Sequence, residues 1–424
     1  MVVKVCSRCL YTEHHPLGLL IDDSGLCSGC RVHEEKDELD WDVRSEKLTG
    51  ILNEYKNRNG NNYDCIIPVS GARDSYFIVD TIKNKYGMNP LLVTYNSQYN
   101  TELGIRNLAF LRSHFDCDIF TLTVNPNSIR QITRATMRRL GSVYWHVLAG
   151  QTVFPVQVAV RLKIPLIIWG AHQGIDQVGM FSHLDEVEMT RKYRKEHDLM
   201  GLEAQDLVSD EDQIFEKDIY QFLYPDSHDL ASVGVRGIYL NNYIRWDTKA
   251  QHESMIKHFD YESKAQARTF DTYSDVDSFI YSDLHDYIKT LKWGYGKVTD
   301  HVCREIRLKR LTREQGQEIV SRYSNHPPKH IEKFQSWLNI TDNSLKFILD
   351  THRNPNIWQR DDNWQWQRID QYVEPSLEQI EANRLNTVDQ CQFKVTRNKR
   401  PDYNEDEFVL LSKGWVNEDR FEHN

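Results

Sequence analysis

Between Asp64 and Gly170 the sequence alternates short apolar runs with amphipathic stretches, and this rhythm constrains the fold more than any other feature. "DCIIPVS", "PLLVTYN", "DIFTLTV" and "PLIIWG" read as strands, and "SYFIVDTIKNKYG", "TELGIRNLAFLRSHF" and "GQTVFPVQVAVRLKI" as the helices between them. The strands carry almost no polar position, so both of their faces are expected to be covered. That pattern predicts an α/β fold with a doubly wound parallel sheet.

The flanking segments read differently. Residues 1–45 lack apolar periodicity but contain Cys6-x-x-Cys9 and, after seventeen intervening residues, Cys27-x-x-Cys30. This spacing suits a four-thiolate structural zinc site; a disulfide or redox pair, or a site drawing on His14, His15 or His33, are the alternatives. Cys65, Cys117, Cys303 and Cys391 stand alone and are expected to be small hydrophobes. The charged stretch from His183 to Glu216 predicts a solvated insertion or lid, and long helical patterns dominate from about Ser274. The organisation expected is a zinc-binding module over 1–45, a sheet domain over 46–250, and a helical region over 251–424 with an unassigned extension.

Charge narrows the partners. The formal net charge of −10 disfavours a nucleic-acid track, and with no long apolar run a membrane span is not expected. Eight cysteines in 424 residues are too few for a disulfide scaffold, so a reducing, cytoplasmic setting is expected.

The turn after the first strand, "SGARDS", stands where ligands bind in open parallel sheets. Gly71 permits close approach of an anion, and the following helix offers free N–H groups. Ser70 and Ser75 add hydroxyls, Arg73 adds charge, and Asp74 suits a Mg²⁺ ion carried with a phosphate. A simple helix N-cap is the plainer reading. The spacing is neither a Walker loop nor a dinucleotide fingerprint. It resembles the SGGxDS loop of the PP-loop pyrophosphatases, which split ATP between its α and β phosphates. Ala72 replaces that motif's second glycine, a departure expected to cost on the order of 1 kcal/mol if the position needs positive φ.

The motif order over roughly residues 1 to 358 is the cysteine pairs, "CIIPVSGARDSY", "LLVTYNSQYNTELGIRNL", "IPLIIWGAHQG" and "LHDYIKTLKWGYGKVTDHVCREIRLKRLTREQ". It resembles the N-acetyl sugar amidotransferases, PP-loop enzymes of bacterial surface-glycan synthesis. The resemblance implies conversion of a sugar's N-acetyl group to an acetamidino group with ATP, Mg²⁺ and ammonia, the sugar being nucleotide-linked or a free acid. It implies that Ser70, Gly71, Ala72, Arg73, Asp74 and Ser75 hold the pyrophosphate and its metal, and that Thr94, Tyr95 and Asn96 seat adenosine, with Asn107 a looser candidate. Gly170 and His172 would lie near the sugar or α-phosphate. Lys297, His301 and Arg304 share a helix face with Arg307 beside them and would reach the polyphosphate, with "GYG" allowing the approach; a solvated charged face is the alternative. "GIYLNNYIRW" is a candidate sugar wall or an edge strand.

No cysteine opens the chain or sits in a G-x-C-x-G setting, so a glutaminase nucleophile is not apparent. Ammonia is expected from a glutaminase partner, with a cyclase-like protein as a conduit. Two other functions compete: a tRNA-thiolating PP-loop enzyme, which would need a basic RNA track and reactive cysteines, and a noncatalytic zinc- and nucleotide-binding adaptor.

Overall fold

A computed structural model describes residues 2–57, 60, 62–72, 74–387, 408–410 and 414–416. Five parallel strands form the central sheet: β1 (Cys65–Pro68), β2 (Pro90–Tyr95), β3 (Ile119–Leu122), β4 (Leu166–Trp169) and β5 (Arg236–Tyr239). Their order is β3-β2-β1-β4-β5, and every pair is parallel. The four apolar runs are therefore the strands expected, and the Arg236–Tyr239 strand, which takes in the start of "GIYLNNYIRW", lies at the sheet edge.

Successive residues serve opposite faces. Ile67 and Leu92 join one core with Leu48 and Leu52 of α2 (Trp41–Tyr55), with Val79 of α3 (Ser75–Val79) and with Leu103 and Leu111 of α4 (Glu102–His114). Ile66, Leu91 and Val93 face the other way, onto Phe154 and Val158 of α6 (Trp145–Leu162), which follows α5 (Pro126–Leu140). Connections from β1 and β2 thus cover one face, and those leading to β4 cover the other. The change of side falls between β1 and β4, which makes the gap beyond their carboxyl ends the crevice of the sheet.

The helical region packs on both the sheet and its helices. From α7 (Phe279–Trp293), Tyr281, Leu284, Ile288 and Leu291 enter a core shared with α5 and α6, while α8 (Lys297–Arg307) runs beside the N-terminal cysteines. The stretch expected to be a solvated lid is packed instead. His183 is fully buried, and Leu199, Leu207 and Ile214 enter the core of α5 and α6. Its charges are absorbed locally, Glu203 pairing with Arg191 at 2.8 Å and with the buried Arg194 at 3.8 Å. Beyond Gln359 the chain returns to its start: Gln371–Val373 pairs in parallel with Val2–Lys4, and the Asn383 amide donates to Ser7 Oγ at 2.9 Å. Among the described residues no helix is long and apolar enough to cross a membrane.

One contact joins the turn after β1 to the segment ahead of α7. A Cβ on Gly71 would lie 2.0 Å from the Gly104 carbonyl oxygen, and one on Gly104 would lie 2.5 Å from Asp277 Cα. Backbone therefore stacks on backbone through three layers. Asn107, fully buried in α4, locks them: its amide donates to Gly71 O at 3.1 Å and Glu262 O at 3.0 Å, and accepts from Glu262 N at 2.9 Å. Gly71 is thus required by close approach, whereas Ala72 is buried and absent from the residues with positive φ, so the strain anticipated for it does not arise. Gly71→Ala is expected to lower stability by about 3 kcal/mol through overpacking. Ala72→Gly is expected to lower it by about 1 kcal/mol, through the lost methyl and added chain freedom. Urea midpoints measure both; a gain in stability from Ala72→Gly would contradict this account.

Candidate nucleotide site and cysteine centre

The turn after β1 lies at the crevice. Ser70 N donates to Ser75 Oγ at 3.0 Å, and both serine hydroxyls donate to the Ala72 carbonyl at 3.1 Å. The helix that opens at Ser75 has Asp74 as N-cap and receives no side-chain cap hydrogen bond from it. Arg73 lies outside the described residues. Gly170, at the end of β4, abuts this helix: a Cβ there would lie 3.0 Å from Ile78 Cδ1 and 3.3 Å from the Trp246 indole. Ser70, Gly71, Ala72, Asp74, Ser75 and Gly170 therefore come together at the switch point.

Several other expected contacts are placed elsewhere. Thr94 is buried, and Tyr95 points under α6, its hydroxyl 3.0 Å from His146 Nδ1. Asn96 closes a turn, accepting from Gln98 N and Asn100 Nδ2 at 3.0 Å each. Tyr95 is thus core, because β2 is covered on both faces right to its end. Asn107 is the clamp described above and is neither solvated nor turned to the crevice. His172 caps the short helix Gln173–Asp176, accepting from Gly174 N at 3.1 Å, and lies among Tyr193, Tyr239 and Phe181 with ring centroids 4.3, 4.6 and 5.6 Å away. Burial, helped by His197, pushes its pKa down to about 4, so it brings no cation to a phosphate at neutral pH.

The cations of α8 do not share one solvated face. Lys297 Nζ is buried against Gln266 at 3.0 Å and Asp283 at 3.2 Å. Burial lowers its pKa, but Asp283, Asp275 and Asp286 outweigh that and hold the ammonium charged. His301 Nδ1 is 2.7 Å from Thr269 Oγ1, and Arg304 donates to the Tyr273 hydroxyl at 2.8 Å and Asp271 at 3.1 Å. The Tyr273 ring stacks on His252 at 4.5 Å, and His252 Nδ1 lies 4.0 Å from an Asp74 carboxylate oxygen. Among the described residues Arg304 is thus linked to the turn through Tyr273 and His252. Sequence reasoning misses His252 because a lone histidine in the amphipathic helix Thr248–Phe259 carries no signal. The close approach allowed by Gly296 is to Asp286 of α7, where a Cβ would lie 2.9 Å from the carboxylate, and not to the turn.

Arg307 belongs to the cysteines. The four sulfurs of Cys6, Cys9, Cys27 and Cys30 all lie within 4.8 Å of one another, and all four residues are buried. The Cys9–Cys27 and Cys6–Cys30 separations are 3.6 and 3.9 Å. Tetrahedral zinc with Zn–S bonds of about 2.3 Å needs sulfurs about 3.8 Å apart, whereas a disulfide needs about 2.05 Å. The donor set therefore fits zinc, and no histidine is in it. Cys27 N donates to Cys6 Sγ at 3.3 Å, and Arg307 donates to Cys27 Sγ at 3.5 Å and to Gln177 O at 2.6 Å. Arg307 thus offsets thiolate charge while tying the centre to the loop after β4.

A parallel α/β sheet with a glycine turn at its switch point, joined to a four-cysteine centre, defines the class. Residues 266–371 match the family model described as LPS biosynthesis protein WbpG-like, C-terminal domain. The matched stretch holds α7 and α8, so it is the helical region that is similar to a domain of lipopolysaccharide-biosynthesis proteins. The chain is also similar to the uncharacterized protein MJ1599 of Methanocaldococcus jannaschii, 26% identical over 117 residues. That similarity covers 28% of this chain and 42% of the archaeal protein, less than half of its length.

The cysteine geometry sets one expected outcome and the burial of His172 another. Elemental analysis should find one zinc per chain, and Cys27→Ser should abolish it and lower the melting temperature, since metal binding and folding of such modules are linked; full zinc content in the variant would contradict the assignment. His172 has a folded pKa below the unfolded value of about 6.5, so protons taken up only by the unfolded chain erode stability as pH falls from there towards 4. An NMR titration should find the ring neutral at pH 5.5, and a midpoint near 6.5 would show that burial does not hold it.

Proposed function

We propose that this chain is an ATP-dependent amidotransferase of surface-glycan biosynthesis that converts an N-acetyl group of a nucleotide-linked sugar to an acetamidino group. The observation that carries the reading is the turn from Ser70 to Ser75, which opens a helix at the β1/β4 switch point, in a chain whose helical region matches a lipopolysaccharide-biosynthesis domain. An amide carbonyl is a poor electrophile, so its oxygen must become part of a leaving group. The amide oxygen attacks the α-phosphorus of ATP, forming an O–P bond as the bond to the pyrophosphate breaks. Ammonia then adds to the imidate carbon, loses a proton, and expels AMP carrying the former amide oxygen.

The chain's part is to hold and neutralise the departing pyrophosphate. The first-turn amides after Asp74 face it, and Ser70 and Ser75, whose hydroxyls rest on the Ala72 carbonyl, are the donors a phosphate would engage. Arg73 adds charge, and Asp74 suits the Mg²⁺ that accompanies ATP. Ammonia comes from a partner glutaminase, with a cyclase-like conduit between them, and the reaction belongs in the cytoplasm with its ATP.

With ATP, Mg²⁺, ammonium and a panel of nucleotide-linked N-acetyl sugars, the product should be lighter than its substrate by about one mass unit. Label placed as ¹⁸O in the acetyl carbonyl should emerge in AMP. Label remaining in the sugar, or ADP as the nucleotide product, would contradict the proposal, and glutamine should not replace ammonium without a partner.

A further inference from the structure

Arg310 belongs neither to the turn nor to the cysteine centre, yet its side chain ends on the helix that faces the turn. Its guanidinium forks onto Asp247, Nη1 donating at 2.8 Å and Nη2 at 3.0 Å, while its Nε donates to Glu305 at 2.6 Å. Asp247 is the N-cap of the helix Thr248–Phe259, and the oxygen that meets Nη2 also accepts from Ala250 N at 3.2 Å. The cation therefore holds this helix by its first turn.

Glu305 of α8 is fully buried and leads back towards the same helix. Its second oxygen accepts from Arg304 Nε at 2.8 Å, and Arg304 donates to the Tyr273 hydroxyl at 2.8 Å. The Tyr273 ring stacks on His252 with centroids 4.5 Å apart and planes inclined by 28°, and His252 Nδ1 lies 2.7 Å from Thr248 O in the turn that Asp247 caps. The contacts close on themselves, from Arg310 through Asp247, His252, Tyr273, Arg304 and Glu305 to Arg310 again. His252 is the member that meets the turn after β1, its Nδ1 lying 4.0 Å from an Asp74 carboxylate oxygen.

Both sides of this circuit are anchored. Met255 and Ile256 of the helix enter the core of β1 and α3. On its other side α8 rests on the cysteine module, where Asp300 accepts from the Tyr11 hydroxyl at 2.8 Å and Cys303 Sγ from Leu10 N at 3.4 Å. Gly29 of α1 (Ser28–Glu38) completes that contact, since a Cβ there would lie 2.6 Å from the Gln177 carbonyl oxygen that accepts from Arg307.

Two features separate the circuit from a network that only satisfies its own charges. Asp247 caps its helix unaided, so the fork from Arg310 adds direction rather than the cap. The circuit also crosses a boundary: Tyr273, Arg304, Glu305 and Arg310 fall within the matched stretch 266–371, whereas Asp247 and His252 precede it.

We propose that Arg310 is a positioning residue for the turn after β1: through Asp247 it sets the lie of the helix Thr248–Phe259, and so where His252 stands against Asp74. The stretch similar to a lipopolysaccharide-biosynthesis domain thereby shapes the candidate nucleotide site. The inference deepens the proposed function and rests on it only for the identity of the ligand.

The test uses the zinc-loaded full chain and substitutions that separate the fork from the cap. Arg310→Met removes the fork, Arg310→Lys keeps the charge without it, and Asp247→Asn keeps a capping oxygen while removing the charge that Arg310 meets. Amide hydrogen exchange is read without ligand at Ser75–Val79 and, for global opening, at residues 91–93 of β2; affinity is read by equilibrium titration with Mg²⁺ and an ATP analogue whose α–β bridge cannot be cleaved. Arg310→Met and Asp247→Asn are each expected to quicken exchange at Ser75–Val79 about tenfold, more than at residues 91–93, and to weaken the analogue about tenfold. Arg310→Lys should fall between them and the wild type. The double variant Arg310→Met/Asp247→Asn should lose no more than the worse single one, because both act through one contact. Should Arg310→Met fail to fold, Arg310→Lys and Asp247→Asn decide by the same readings.

Unchanged exchange at Ser75–Val79, equal quickening there and at residues 91–93, additive losses in the double variant, or undiminished affinity in a chain that binds the analogue would each overturn the proposal. Selective quickening at Ser75–Val79 in a chain that binds no analogue would uphold the positioning role and remove the nucleotide reading instead.

Discussion

Everything at the crevice depends on three layers of backbone in contact. Gly71 rests on Gly104 and Gly104 on Asp277, with no side chain between them, and the buried amide of Asn107 bonds to the first layer and to the neighbouring Glu262. Such contact is available only to glycine, and it fixes the turn after β1 relative to the segment at Asp277, just over two hundred residues further on. The same contact makes the helical region part of the sheet's architecture: Tyr261, Tyr273 and Val276 share a core with β1 and α3. The backbone of the turn is therefore preorganised by tertiary contact, whichever way its hydroxyls point.

A second organising element is the cysteine centre, which acts through Arg307. That guanidinium touches a sulfur, the carbonyl of Gln177 and the ring of Tyr11, whose face lies 5.2 Å away. The segment that ends in Asn383 packs on the same module, Arg8 donating to Asn383 O at 3.0 Å, and Arg313 donates to Cys6 O at 2.7 Å. A small module, whose own cluster is little more than Tyr11, Leu19 and Leu26 around the four cysteines, is thus held by its sulfurs, by α8 and by the segment up to Asn383.

What the sequence made legible follows from local physics. β1, β2 and β4 announce themselves because a strand covered on both faces must be apolar throughout, and the cysteine spacing specifies a tetrahedral site without reference to the rest of the chain. Long-range partners are a different matter. The charges of Arg191, Arg194 and Glu203 look solvated in isolation and are in fact satisfied by one another in a packed segment. Tyr95 ends a strand as a nucleotide contact would, yet its destination is set by Gly150 of α6, where a Cβ would lie 2.3 Å from its ring. Likewise the helical spacing of Lys297, Arg304 and Arg307 is real, but three different partners draw them to three different places. Asn107 and His252 carry no local signature, because what matters about each is a neighbour distant in sequence.

The central claim is that the turn from Ser70 to Ser75 is where a triphosphate is gripped. The most direct measurement is a crystal structure of the zinc-loaded chain with Mg²⁺ and an ATP analogue whose α–β bridge cannot be cleaved. The account predicts phosphate oxygens on the first-turn amides after Asp74, with Ser70 and Ser75 turned from the Ala72 carbonyl towards them. Analogue bound elsewhere, with those hydroxyls still on Ala72, would contradict it.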